Sequence, residues 1–207
     1  MNAGEIMRSA VISSACALGL FFSAAAERAA ATIAVPGASV AIDACALLRR
    51  SEISQAIGAP VGQPARQDAG IEPDGSYSSS CVWEIHAANP ANAGASAPLG
   101  GKSFVILHAM QWPRGSGLAH GFLDAFRKAA ENGDIPAKTI PRNFGDEALW
   151  WGDGLAVRKY DVSFGISVFF PGSTVDHTGV LEERLAPHIL QRLEKRASHM
   201  RQQHPAQ

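Results

Sequence analysis

Two cysteines constrain this chain more than any other feature. Cys45 and Cys81 stand 36 positions apart, each beside an apolar residue, while the third cysteine, Cys16, lies inside an apolar leader. Residues 10–22 (AVISSACALGLFF) carry no charge and are too few to span a bilayer. They have the form of a signal-peptide core, followed by Ala24, Ala25 and Ala26, the small residues a signal peptidase accepts. Glu5 offsets Arg8 ahead of this core, so a start at Met7 would give a better positive front end. The reading is a signal peptide over residues 1–26 and a mature chain from Glu27 in the periplasm or outside the cell. The competing reading is an Ala-rich helix opening a cytosolic domain. An exported chain left with two cysteines pairs them, and closing such a loop contributes about 4 kcal/mol on a chain-entropy estimate. A catalytic thiol is the alternative, but no C-x-x-C is present and the second cysteine is placed to oxidise the first.

Patterning supplies the remaining elements. Asp43 caps a short helix through Ala44, Leu47 and Leu48, and Ser51 caps a second in which Ile53 and Ile57 share a face before Gly58 and Pro60. Residues 61–80 read as a turn-rich crossing. From Ser80 to His86 the chain alternates, with Cys81, Trp83 and Ile85 on one side, and Ser103 to Met110 alternates again. These two runs predict a hairpin with a long tip over residues 89–101. The spacing of Leu118, Phe122, Phe126 and Ala129 or Ala130 predicts a helix from Ser116 to Glu131. A linker from Pro136 to Pro141 leads to three strands, Ala148 to Trp151, Leu155 to Tyr160 and Ser163 to Phe170, with Asp153-Gly154 as a turn. Leu181, Leu185, Ile189 and Leu193 form a final amphipathic helix that Pro187 should bend or delay, and the chain from His199 onward reads as frayed. The predicted class is α+β: an antiparallel sheet of about five strands with helices packed mainly on one face. A lead or tether at 27–42 precedes a single domain over 43–196, and a flexible polar tail follows at 197–207.

Reactive constellations are scarce. A net charge of -1 without a basic run offers nucleic acid no attraction. The seven histidines show neither H-x-x-x-H nor H-E-x-x-H spacing, so no metal is expected. No G-x-S-x-G, P-loop or G-x-G-x-x-G is present, and no cofactor is expected. Ser116, between Gly115 and Gly117, reads as a helix cap, and the segment Gly172 to Asp176 beside His177 reads as a capping corner. The aromatic residues carry more. Trp112 ends a strand beside Pro113, and Trp150-Trp151 must point to opposite faces of theirs. With Arg114 close by in sequence, Trp112, Trp150, Trp151, Arg158 and Tyr160 form the candidate binding surface. The competing reading is that both faces are covered and the indoles fill space.

The pieces D-A-C-A-L-L at 43–48, S-E-I-S-Q-A-I-G at 51–58, C-V-W at 81–83 and F-G-D-E-A-L-W at 144–150 together resemble a family of uncharacterised actinobacterial cell-envelope lipoproteins. The resemblance runs from about Asp43 to Leu193. It implies that Cys45 and Cys81 are the family's two cysteines and Trp83 the tryptophan that follows the second. The chain departs from the family at the lipobox: Ser13 stands where a bulky aliphatic residue precedes the modified cysteine, which weakens lipid attachment through Cys16. The family carries no established activity, so the likeness implies location and layout. The expected function is non-enzymatic binding of an envelope component, small ligand or protein partner by an exported domain with no transmembrane span once its signal is removed. A structural envelope module and a small secreted hydrolase are the alternatives. Oligomeric state is not readable from the chain.

Overall fold

The structure is a computed structural model and describes residues 41–86, 103–135, 138–169 and 179–203. The segment read as a signal peptide, Cys16, the lead up to residue 40, the expected hairpin tip and the corner holding His177 lie outside the described residues.

Alternation does what it predicts in β2 (Tyr77–Ile85) and β3 (Ser103–Gln111). Cys81, Trp83 and Ile85 are buried beside Val105, Leu107 and Ala109, and the strands pair antiparallel as a hairpin. Five further strands join them: β1 (Ala65–Ile71), β4 (Ile140–Arg142), β5 (Glu147–Trp150), β6 (Leu155–Lys159) and β7 (Val162–Phe169). The sheet is antiparallel throughout, in the order β1-β2-β3-β7-β6-β5-β4. The class is α+β, with seven strands among the described residues rather than about five. The two additional strands are the edges. β1 lies in the stretch read as turn-rich and is exposed along nearly its whole length, so no buried face imposes alternation; backbone pairing to β2 alone defines it. β4 lies in the stretch read as a linker and contains Pro141, which an edge strand tolerates because one side of its ladder is unused.

The helices divide between the faces. α1 (Ala44–Leu47), α2 (Arg50–Ile57) and α4 (Val180–Gln203) carry Leu47, Ile53, Leu185, Ile189 and Leu193 into the core that contains Trp83, Leu155, Val157 and Phe164. α3 (Ala119–Asn132) covers the opposite face, where Leu123 meets Leu149 and Ala156, the residues that alternate away from that core. Phe122 and Phe126 of the expected stripe pack against this cluster, with Ala119 and Leu123 buried beside them, while Leu118 is exposed. In α2 it is Glu52, not Ser51, that satisfies the helix start, its carboxylate accepting the Arg49 N–H at 2.8 Å. α4 continues through Pro187 and on to Gln203, into the segment expected to be a flexible tail.

Cys45 and Cys81 form a disulfide with Cα atoms 5.1 Å apart, joining α1 to the centre of β2. Asp43 caps α1 by accepting the Cys45 and Ala46 N–H groups, and the Ala44 N–H donates to Ser79 Oγ at 3.0 Å. Among the described residues no helix is long and apolar enough to cross a membrane.

Candidate functional site

Because Lys159 pairs with Val162, the connection from β6 to β7 consists of Tyr160 and Asp161 alone. So tight a connection calls for positive φ, normally supplied by glycine, asparagine or aspartate. Here Tyr160 takes that conformation at φ 56, and among the described residues it is the one non-glycine that does so. A left-handed backbone costs an L-residue roughly 1–2 kcal/mol, so the surroundings must hold it. They do so at several points. The Tyr160 N–H donates to Asp146 Oδ2 at 2.7 Å. The Asp161 carbonyl accepts the Trp112 N–H at 2.8 Å and Gln111 Nε2 at 3.3 Å, and Asp161 Oδ1 accepts the Gly115 N–H at 3.3 Å. The Lys159 ammonium sits 4.7 Å from the Tyr160 ring centroid. Burial alone would lower its pKa, but its contact with Asp146 outweighs this and holds it above the ordinary lysine value.

The anchored turn forms one wall of a cleft of about 320 Å³ at the end of the sheet where β3 stops. Trp112 and Tyr160 supply aromatic surface, Val162 comes from β7, and Leu193, Ala197 and Met200 come from the final turns of α4. Trp112 is fixed: its Nε1–H donates to Ser163 Oγ at 3.2 Å, and that hydroxyl donates to the Ala119 carbonyl at 3.1 Å. Arg114, Arg196 and Arg201 contribute three cations to the lining, against the single carboxylate of Asp161. Burial pushes the half-buried Arg196 guanidinium below its ordinary pKa, and its Nη1 donates to the Ala41 carbonyl at 3.4 Å. Gln111 Oε1, also at the cleft, is buried and has no hydrogen-bond partner among the described residues.

Of the five residues read as a binding surface, the structure brings Trp112 and Tyr160 together and takes the others elsewhere. Trp150 is only 5% exposed, in the main core, with its ring so close to Gly179 that a Cβ there would lie 2.7 Å away. Trp151 points to the other face, stacked on Phe126 of α3 at 4.6 Å between centroids. Arg158 is committed to Asp146 at 3.4 Å and Glu147 at 3.5 Å. The α4 residues of the cleft escape a sequence reading because only the packing of the last helix brings them to the turn. The one signal that could have found them is the persistence of Arg196, Ala197 and Met200 in helical phase with Leu193.

A second contact also went unread. Ser80 and His108 are cross-strand partners in β2 and β3, with Oγ and Nδ1 at 2.7 Å. Burial pushes the imidazole below the ordinary histidine pKa, favouring its neutral form. This is the first link of a hydrolytic triad, but among the described residues no carboxylate bonds to the other ring nitrogen, as an orienting acid would. Among the described residues no group of three histidine, cysteine or acidic side chains is placed to hold a metal. The chain matches no protein-family model, no curated protein and no solved structure.

Proposed function

We propose that the chain is an exported, disulfide-stapled domain that binds a small ligand in the cleft between the β6–β7 turn and the end of α4, without catalysing its conversion. The observation that carries this reading is the pre-assembly of the cleft. A partly exposed tyrosine is held in a costly backbone conformation at its wall by contacts from two other segments. Strain of this kind persists where the surroundings over-determine it, and it clusters at ligand clamps. A rigid aromatic wall loses little freedom on binding. The leader sequence, the Cys45–Cys81 bridge and the resemblance to envelope lipoproteins support export. A direct test is equilibrium dialysis against small molecules extracted from the native envelope, followed by mass spectrometry. It compares the wild-type protein with Ala197→Phe, which fills the cleft from α4. Enrichment of at least one species by the wild type and not by the variant is expected. Identical enrichment by both would place binding elsewhere.

A further inference from the structure

The composition of the cleft carries a statement about ligand chemistry, which rests on the cleft being the binding site. We infer that its ligand is a small anion with a ring-sized apolar body, held by its charge at Arg114 and Arg201 and by its body against Trp112 and Tyr160.

The charge argument begins with the rest of the molecule. Arg66, Arg127, Arg142, Arg158 and Arg192 each meet a carboxylate. The cleft differs. Among the described residues Arg114 makes no ion pair, and Arg201 donates to the Ala197 carbonyl of its own helix at 3.5 Å and meets no carboxylate. The one acid in the lining, Asp161, is occupied by the Gly115 N–H. Three cations and one acid thus gather in a chain whose net charge is -1, so the positive lining is a local feature and not a by-product of a basic protein. A cleft with low-dielectric walls focuses such a potential and concentrates anions. Guanidinium groups suit a carboxylate or a phosphate equally, because both accept two parallel N–H bonds.

The apolar half follows from the remaining walls. Trp112, Tyr160, Val162, Leu193 and Met200 leave little for a fully hydrated ion to bond. Inorganic phosphate or a simple sugar would strip water from these surfaces without replacing it. A volume of about 320 Å³ stands at the lower end of the usual range for ligand pockets and suits a one- or two-ring body rather than a two-chain lipid. The indole and the phenol offer faces for stacking, and the methionine thioether adapts to a ring edge.

The test uses three probes of one shape: 2-naphthoate, 2-naphthyl phosphate and 2-naphthalenemethanol. Each is titrated calorimetrically into the mature protein and into an Arg114→Gln/Arg201→Gln double variant. Both arginines are exposed, and the variant's unfolding midpoint is measured alongside. At least one anion should bind the wild type about tenfold or more tighter than the alcohol, a difference of about 1.4 kcal/mol. The double variant should lose that preference while keeping its affinity for the alcohol, and raising the salt concentration should shrink the preference in the wild type. Which anion wins assigns the head group as carboxylate or phosphate. Equal binding of alcohol and anions would overturn the ligand class and leave the cleft standing. Absence of binding by all three, with the protein folded, would overturn both.

Discussion

Tyr160→Gly and Tyr160→Ala remove the same ring and differ by one methyl group, so the pair isolates the backbone of the β6–β7 turn. In an ordinary extended or helical position alanine is the better residue, by roughly 0.5–1 kcal/mol, because glycine loses more freedom on folding. At φ 56 the sign should reverse. Alanine retains the left-handed cost of roughly 1–2 kcal/mol, and glycine does not. Subtracting the entropy of glycine leaves the Gly variant more stable than the Ala variant by about 0.5–1 kcal/mol. Both variants forfeit the Lys159 contact with the ring, which cancels from the difference. Urea unfolding followed by tryptophan fluorescence reads the change as a shift in midpoint at constant slope. Calorimetry should place the two melting temperatures apart by about 2 °C for a domain of this size. Both variants should weaken ligand binding equally, since both lose the aromatic wall. If the Ala variant proves as stable as the Gly variant, Tyr160 is not held left-handed in solution and the pre-organisation of the cleft is refuted.

Replacing Cys45 and Cys81 together by alanine should lower stability by about 3–4 kcal/mol, measured by urea unfolding under non-reducing conditions; a loss below about 1 kcal/mol would show that the bridge is not a staple. His108 is held below its ordinary pKa by burial, so the unfolded chain binds more protons than the folded one below about pH 6.5. Stability should therefore fall as pH drops from 7 to 5, less steeply in His108→Asn, and equal slopes would refute the assignment. Burial alone would raise the Glu52 carboxyl, but hydrogen bonds from Arg192 and the Arg49 N–H outweigh it and hold the carboxyl below its ordinary range. The contribution is present at neutral pH and lost as pH falls through the lowered value, so Glu52→Gln should cost about 1 kcal/mol at pH 7 and progressively less as pH is taken below the ordinary carboxylate range. A cost unchanged across that interval would show that the carboxylate charge is not involved.

What could be read from the chain divides along burial. β2 and β3 announce themselves because one face of each is packed, and a period of two follows; β7, covered on both faces, still alternates because Ser163, Gly165 and Ser167 stand opposite Phe164 and Ile166. The disulfide was legible from cysteine number and a leader sequence, before any geometry. β1 was not, because an edge strand with exposed residues on both faces carries no hydrophobic signal and exists through pairing alone. The adjacent tryptophans were legible as a pair facing opposite ways, yet the sequence could not say that both faces are covered. Trp150 meets Gly179 and Trp151 meets Phe126 only after α4 and α3 dock. The cleft was half visible: Trp112 and Tyr160 belong to turn chemistry, while Leu193, Met200 and the arginines of α4 arrive from a distant part of the chain. Tyr160 itself breaks a local rule by placing a bulky residue where glycine belongs, the kind of exception that marks a site rather than a core.

The most direct test of ligand entry between Trp112, Tyr160 and the end of α4 is a ¹H–¹⁵N titration of the protein with 2-naphthoate. The indole cross-peak of Trp112, fixed by its 3.2 Å bond to Ser163, should shift together with the amides of Tyr160, Asp161 and residues 196–201. The Trp151 indole, stacked on Phe126 of α3, should stay in place. Shifts centred on Trp151 and α3, with Trp112 unmoved, would contradict the cleft as the binding site.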